Sequence, residues 1–253
     1  LPVRTGGNGS AGIVAIRILY YINSNINPQN LLTFTNNELV NTKTYMHIFE
    51  QDMLCDVLIV GGGGGGSAGG GGAGGYIYLS NIFLNCGAYT IRVGNGGTGA
   101  TLSTSGNQGF NSSLIGGYIN YTAYGGGGGG GNGVIAPAHT SGQVGSYGGN
   151  GHDFVTEQTY TSTQGNKGGR ALANSGGGGG GAGAIGNNPE IVSGLSSQIS
   201  ATTYYRGGQG GIGIANNITG TLIFYAGGGT AGVNTNKDTD LPNRWFRRWW
   251  WRR

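Results

Sequence analysis

The sequence is poor in charge, proline and cysteine. Charged residues make up 9% of its 253 residues, and it has five prolines and two cysteines. An ordinary soluble domain carries about 25% charged residues. Glycine dominates instead, with 60 copies, and such a chain forms few helices because glycine loses the most backbone entropy on folding. A conventional helix-containing enzyme is therefore not expected, and the lack of a G-x-y period excludes collagen.

The positive charge is confined to one end of the chain. The formal net charge is +4, but five of the 13 basic residues lie in the last ten residues. The remainder has eight basic and nine acidic residues, a formal charge of −1. Charge therefore predicts neither nucleic acid nor a membrane as a partner.

No long hydrophobic run is present. The longest apolar stretch near the start, residues 13–22, contains Arg17 and is shorter than the roughly 20 residues that span a bilayer. It also lacks the basic start and cleavage site of a signal peptide. We therefore expect no membrane span. Because the chain opens at Leu1 rather than Met, we interpret it as a mature form, a fragment or a partial reading frame.

Residues 13–22 predict one strong strand after a glycine-rich turn. One face is entirely apolar or aromatic, and Arg17 alone interrupts the other. A strand that is apolar on both faces needs cover on both sides. The residues that we assign to this strand as an inter-subunit contact are Ile13, Val14, Ile16, Ile18, Leu19, Tyr20 and Ile22. The polar residues 23–30, which include proline, indicate a linker.

The rest of the chain also favours strands. Residues 31–60 contain alternating apolar patterns and no sustained 3.6-residue stripe, so strands are favoured over a helix at residues 38–53. Residues 76–93 predict two strands joined by a turn at Cys86, Gly87 and Ala88. Further short strands are predicted in three later stretches, residues 113–124, 194–205 and 218–225.

Glycine tracts separate these strands, at residues 61–66, 69–75, 125–131 and 176–183. Polyglycine alone predicts disorder, because it buries nothing that offsets the ordering entropy. Packed extended helices with three residues per turn are the alternative, and only glycine allows the close approach that they need. We predict an all-β, sandwich or jelly-roll-like domain whose glycine-rich loops are ordered, with polyglycine helices as one form of those loops.

No motif supports catalysis or a cofactor. Residues 56–60 lead into a G-x-G-x-x-G match, but the dinucleotide fingerprint needs a helix next, and a strand follows here. His47, His139 and His152 are far apart and have no ligand spacing to cysteines or carboxylates. We expect no enzyme, no cofactor and no metal site. Four glycosylation sequons, at Asn8, Asn111, Asn120 and Asn217, are as many as chance predicts.

Residues 56–66, 74–97 and 213–229 resemble a glycine-rich domain family of phage tail, giant-virus and microbial surface fibre proteins. The resemblance covers most of residues 31–233, and it implies a hairpin at residues 76–93. It also implies structural or adhesive roles, with no catalytic residues to transfer. The closing strand of that family resembles residues 6–17, which stand at the start of this chain.

This displaced strand allows two interpretations. Either the sequence is a window across tandem repeats, or each subunit donates the strand to a neighbour. Donation gives a domain organisation with a donor-type strand at 1–22, a linker at 23–30, a glycine-rich β domain at 31–233 and a tail at 234–253. The end of that tail, RWFRRWWWRR, suggests a membrane-surface segment. We favour a slipped reading frame, since GGN codons read one base out encode Arg and Trp.

We therefore expect a structural subunit of an extracellular filament or fibre, on a cell or virion surface, that polymerises with itself by strand donation. The alternative is an adhesin module of a viral or phage fibre that binds a surface glycan or receptor. An ice-binding role would need a regular threonine array, which is not sustained. We also expect a disulfide between Cys55 and Cys86, or two separate buried thiols as the alternative.

Overall fold

The computed structural model describes residues 5–22, 31–137, 143–153, 155–156, 158–159, 162–193 and 203–232. Three expectations lie outside these residues: the linker at 23–30, His139, and the Arg/Trp-rich tail. The described residues form strands and extended segments and contain no helix. The strands are β1 (Ile13–Tyr21), β2 (Leu31–Thr35), β3 (Thr42–Phe49), β4 (Met53–Val60), β5 (Tyr76–Leu84), β6 (Gly87–Gly94), β7 (Ser112–Gly116), β8 (Ile119–Ala123), β9 (Glu190–Ser193), β10 (Thr203–Arg206), β11 (Ile214–Asn216) and β12 (Ile223–Tyr225).

The strands form two four-stranded antiparallel sheets and two hairpins. The sheets have the orders β2-β1-β4-β5 and β3-β6-β7-β8, and the hairpins are β9–β10 and β11–β12. The sheets enclose one apolar core, which draws on β1, β4 and β5 from one sheet and on β3, β6, β7 and β8 from the other. The all-β, sandwich-like prediction is confirmed, and residues 42–49 form a strand rather than part of a helix.

The connection between β5 and β6 differs from the hairpin that the family resemblance implied. β5 pairs with β4, whereas β6 pairs with β3, so the turn at Cys86 carries the chain from one sheet to the other. The apolar residues at both ends of this turn, Leu84 and Tyr89, are buried in the shared core. The two side chains therefore enter the core from opposite sheets.

β1 lies inside its sheet and is covered on both faces, as its sequence predicted. Val14, Ile16 and Ile18 belong to the core between the sheets. Ala15, on the opposite face, joins a second buried cluster with Leu58, Val60 and Ile218. The residues that follow β11 thus cover the outer face of the sheet near β1.

The glycine tracts are ordered helices with three residues per turn. Successive amides along residues 61–66 donate in rotation to three neighbouring segments, residues 69–75, 106–110 and 5–12. Donors three residues apart therefore reach the same neighbour, which is the periodicity of a polyproline II-type helix. We call the whole array the glycine bundle; its segments are residues 5–12, 61–67, 69–75, 94–100, 106–110, 124–131, 144–151, 166–170, 176–182, 184–188, 207–213 and 226–232.

Close packing explains why these segments are glycine. A Cβ at Gly62 would overlap the carbonyl oxygen of Asn95, and one at Gly64 would overlap that of Gly127. Since each extended helix lacks internal hydrogen bonds, its backbone groups bond to neighbours at this short separation instead. Of the two interpretations of the tracts, the structure has the ordered one.

Candidate assembly site

The predicted donor strand is part of a longer bound unit, which we call the insert segment, residues 5–21. Its first part is a glycine-bundle helix, in which Gly6, Gly9 and Gly12 donate to carbonyls of residues 94–100 at 2.8–2.9 Å. Its second part is β1, which pairs with β2 on one side and β4 on the other. The insert segment therefore spans the bundle and the sandwich and is hydrogen-bonded along its length.

The central residues of β1 are the most deeply buried. Val14, Ala15 and Ile16 are all fully buried, and Ile18 is buried too. The strand loosens towards its end, where the register with β4 shifts between Ile18 and Tyr20. Three of the seven predicted contact residues, Val14, Ile16 and Ile18, are thus core residues. Tyr20 is 50% exposed, and Ile13, Leu19 and Ile22 are only half-buried.

These contacts are made within one chain. The sequence left open that residues 13–22 fold back into their own domain through the eight-residue linker, and this is the arrangement in the single-chain structure. The structure thus gives the geometry of the site that the insert segment fills. Which chain fills it in an assembly is a separate question.

An ion pair fixes the register of the insert segment on its outer face. Arg17 stands directly opposite Asp56 on β4, and its Nε donates to Asp56 Oδ2 at 3.2 Å, with Nη2 bonding the same oxygen. The other carboxylate oxygen, Oδ1, accepts the backbone N–H of Asn81 at 3.0 Å. Asn81 has a φ of 52°, and it lies in the stretch of β5 where the register with β4 shifts. Asp56 therefore bonds to both strands that flank β4, to β1 through Arg17 and to β5 through Asn81.

No pattern in the sequence predicts that Arg17 and Asp56 pair. Arg17 was noted as the one break in an apolar face, and Asp56 as the first residue of a misleading fingerprint. The two are 39 residues apart, and only the antiparallel register of β1 and β4 places them opposite each other. The charge on the strand, rather than its apolar residues, was the available signal.

The expected disulfide is contradicted. Both cysteines are free thiols, with Cys55 buried in β4 and Cys86 exposed at the turn after β5. Cys55 lies opposite Ile82, four residues before Cys86, which is about 13 Å along a strand. A disulfide needs Cα atoms within about 7 Å. Burial, with the nearby Asp56 carboxylate as a smaller cause, raises the pKa of the Cys55 thiol to about 12.

All four sequon asparagines are exposed, on several parts of the surface. Two of them already have structural roles. Asn8 Oδ1 accepts the N–H of Gly99 at 2.9 Å, and Asn111 Oδ1 accepts the N–H of Gly125 at 2.8 Å. Each of these amides joins two segments of the glycine bundle, which explains asparagine there without glycosylation.

The described residues hold no group of three or more potential metal ligands. His47 packs edge-on against Phe49 in β3, whereas His152 is buried in the glycine bundle, where its Nδ1 has no hydrogen-bond partner among the described residues. Burial lowers the pKa of His152. Within the described part of the chain, no helix has the length and apolar character needed to cross a membrane.

Comparison with known families agrees with this architecture. A family model described as a glycine-rich domain matches residues 40–244, most of the chain. The chain belongs to this glycine-rich domain family. Searches of curated proteins and of solved structures found no match.

The family match begins after β2, so the insert segment lies outside it. Within the matched region, the glycine-rich domain supplies β3 to β12 and the rest of the described glycine bundle. The central strand of one sheet, β1, therefore comes from outside the matched domain. This separation between the domain and the strand that completes it is the main functional clue.

Proposed function

We propose that this protein is a structural subunit that polymerises by exchanging its insert segment, so that residues 5–21 of one copy complete the sandwich and glycine bundle of the next. The observation that carries the proposal is the position of β1. It pairs with both β2 and β4, and its central residues 14–16 are fully buried, yet it precedes the matched domain and is joined to β2 through residues 22–30.

The contacts of the insert segment are the same whichever chain supplies it. β1 would bury Val14, Ile16 and Ile18 in the core and pair Arg17 with Asp56 in either arrangement. The balance between the closed monomer and the exchanged polymer then depends on the connection and on protein concentration. An exchange of this kind needs no new interface.

The connecting residues are long enough for exchange. Residues 23–30 reach about 28 Å when fully extended, and their sequence, NSNINPQN, has no apolar run that would pack in a core. Proline in the connection disfavours a tight hairpin and favours an extended path. A subunit that gives its insert segment and receives another makes a head-to-tail contact, which propagates into a filament unless it closes into a ring.

An emptied site would be unstable on its own. Without β1, β2 loses its only strand partner among the described residues. The edge of β4 that pairs with β1 becomes unpaired and exposed. Exposed edges of this kind pair with other chains. This instability is what would drive each subunit to capture the insert segment of a neighbour, as in other strand-addition complexes.

The test is to remove the insert segment and return it separately. Deletion of residues 1–22 should leave a chain that forms no filaments by electron microscopy and that aggregates or remains monomeric. A synthetic peptide of residues 5–22 should bind this chain one to one and restore its unfolding transition. A matched peptide with Val14, Ile16 and Ile18 changed to Ser should not bind.

Filaments of normal length from the truncated chain would overturn the proposal. So would full-length protein that stays monomeric at every concentration tested, with the peptide unable to displace its own insert segment. In native material, long homopolymers support the filament, and short fibres confined to virions would indicate the adhesin role.

The adhesin alternative rests on a separate observation. The β11–β12 hairpin region exposes Leu222, Ile223 and Phe224, of which Phe224 is 66% exposed. Exposed aliphatic and aromatic residues at one place are typical of binding surfaces. Changing Leu222 and Phe224 to Ser should abolish attachment to a receptor-bearing surface if the protein is an adhesin, and should leave polymerisation intact.

A further inference from the structure

A groove runs along the surface of the glycine bundle. Its walls are residues 7–11 and residues 224–230, and its floor is formed by residues 61–66 and 71–74. The groove has a volume of about 540 Å³, and most of the residues that line it are glycine or alanine. At one end it reaches Ile13 and Tyr225, where the bundle meets the sandwich.

The groove corresponds to one missing position in the packing of the bundle. A three-residue helix points its N–H groups in three directions and its carbonyls in three others, so it can bond to six neighbours. The floor segment 61–66 bonds to five, which are residues 5–12, 69–75, 94–100, 106–110 and 124–131. The other floor segment, residues 69–75, also bonds to five, which are residues 61–66, 124–131, 144–151, 176–182 and 226–232.

The sixth direction of both floor segments is the groove. The carbonyls of Gly61 and Gly64 accept no N–H from the described residues, although the other carbonyls of residues 62–66 do. The N–H groups of Gly71 and Gly74 likewise have no acceptor in the described chain. All four glycines line the groove, and all four are buried. Two carbonyl acceptors and two N–H donors, each pair spaced by three residues, are thus free to bond to a further helix with three residues per turn.

The floor also has room that the rest of the bundle lacks. A Cβ at Gly63 would lie 3.6 Å from its nearest neighbour, Ser10 N, and a Cβ at Gly66 would lie 3.6 Å from Gly7 O. At the adjacent Gly64 and Gly65, a Cβ would overlap a carbonyl of another segment. At Gly63 and Gly66, therefore, no other segment of the described chain packs against the floor as closely as at Gly64 and Gly65.

We infer that this groove binds an extended, glycine-rich segment of another polypeptide, in a three-residue helix with glycine at two of every three positions. Such a segment donates to Gly61 and Gly64, accepts from Gly71 and Gly74, and directs every third side chain to solvent. Residues 5–12 show this pattern beside the groove, since Thr5, Asn8 and Ala11 share one exposed face.

No further segment of this kind occurs among the 253 residues. The parts of the sequence that the structure does not describe contain no two consecutive glycines, so none of them offers the required pattern. The described glycine segments already have bundle positions of their own. The inference does not depend on exchange of the insert segment, because the described residues leave the groove open whichever chain supplies residues 5–21.

Hydrogen exchange tests the inference on full-length protein, as monomer or filament. The probe is the synthetic peptide Gly-Gly-Asn-Gly-Gly-Asn-Gly-Gly at millimolar concentration. We expect amide exchange at Gly71 and Gly74 to slow by about tenfold at saturation, the effect of one added hydrogen bond each. A peptide with each second Gly replaced by Val should give no protection.

Two glycine variants make the result specific. Gly63→Ala places a methyl group in the groove without a clash and should abolish the protection, with Gly66→Ala as the second blocking variant. Gly232→Ala is the control and should leave the protection unchanged. Gly232 lies outside the groove, and a Cβ there would be no closer than 3.8 Å to any neighbour. Unchanged exchange with peptide, or equal protection in Gly63→Ala, would overturn the inference. Protection that rises with protein concentration alone would assign the groove to a second copy instead and would also overturn it.

Discussion

At the scale of single residues, four charged side chains of the described chain form two ion pairs. Asp56 is 4% exposed and is bonded to Arg17 and to the backbone of Asn81. Lys43 and Glu38 form an ion pair on the surface instead. The two pairs are chemically alike and differ in burial, so they should differ in their contribution to stability.

Asp56→Ala should lower the free energy of unfolding by about 2–3 kcal/mol, because it removes charged hydrogen bonds and leaves the Asn81 N–H unbonded. Urea unfolding followed by tyrosine fluorescence measures the change. Glu38→Ala is the matched control and should leave the unfolding midpoint unchanged. Equal effects of the two substitutions would contradict the role assigned to Asp56.

The two cysteines should differ in reactivity. Cys55 is buried with a pKa raised to about 12, so it has almost no thiolate at neutral pH. Cys86 is exposed, although a hydrogen bond to the Asp52 side chain raises its pKa. A maleimide reagent should label one thiol per native chain, at Cys86, and two in denaturant. A native protein in which neither thiol reacts, and whose intact mass is lower by two hydrogen atoms, would show that the disulfide forms after all.

His152 should make stability depend on pH. Burial holds its pKa below the ordinary value of 6.5, with opposing contributions from the Gly232 carbonyl and Asp153. As the pH falls below about 6.5, the unfolded chain binds a proton at His152 that the folded chain does not, so stability is lost towards the folded pKa. The melting temperature should fall between pH 7.5 and pH 5.5, and His152→Gln should flatten this slope. An unchanged slope in that variant would show that other groups cause the effect.

At the scale of elements, the sequence was informative where a pattern is local. The short apolar runs at residues 13–22 and 53–60 predicted β1 and β4, because a strand that is covered on both faces is apolar on both. Pairing between strands is not local, and this is why the crossing between β5 and β6 was missed. The glycine tracts left two interpretations open for the same reason, since the partners that order residues 61–66 come from segments as distant as residues 124–131.

Adjacent glycines in one tract should respond differently to the same substitution. Gly64→Ala would drive its Cβ into the carbonyl of Gly127, whereas Gly63→Ala would place it in ordinary contact. We expect Gly64→Ala to lower stability by several kcal/mol or to prevent folding. Gly63→Ala should be neutral or slightly stabilising, because alanine has less entropy to lose from the unfolded chain. Thermal unfolding of the two variants is the measurement, and equal effects would contradict close packing of the tract.

At the scale of the whole molecule, the chain combines a sandwich and a glycine bundle that share one insert segment. The all-β class followed from composition, since so much glycine and so little charge left few other folds. The candidate assembly site followed only in part: the sequence pattern predicts the strand at residues 13–22, but it predicts a turn where the bundle helix at residues 5–12 lies. The sequence does not predict that helix, because a run of glycines has no side-chain pattern with a period of three residues. The period is defined only by the hydrogen bonds to neighbouring segments.

The central claim is that the insert segment of one copy fills the site of another, and a single new cysteine tests it directly. Ile18 stands opposite Cys55 in the β1–β4 register, and opposed residues in an antiparallel pair are about 4.5–5.5 Å apart, within the range of a disulfide. The variant carries Ile18→Cys together with Cys86→Ser and is oxidised during assembly. Should Ile18→Cys prevent folding, a second variant takes its place. It carries Tyr21→Cys and Met53→Cys, which are also opposed, and Cys55→Ser.

Non-reducing denaturing electrophoresis of the assembled protein then reads out which chains are joined. Exchange predicts a ladder of covalent dimers, trimers and longer multimers that collapses to monomer on reduction. A single monomer band whose disulfide lies within one chain, recovered from filaments, would show that each copy keeps its own insert segment and would contradict the account.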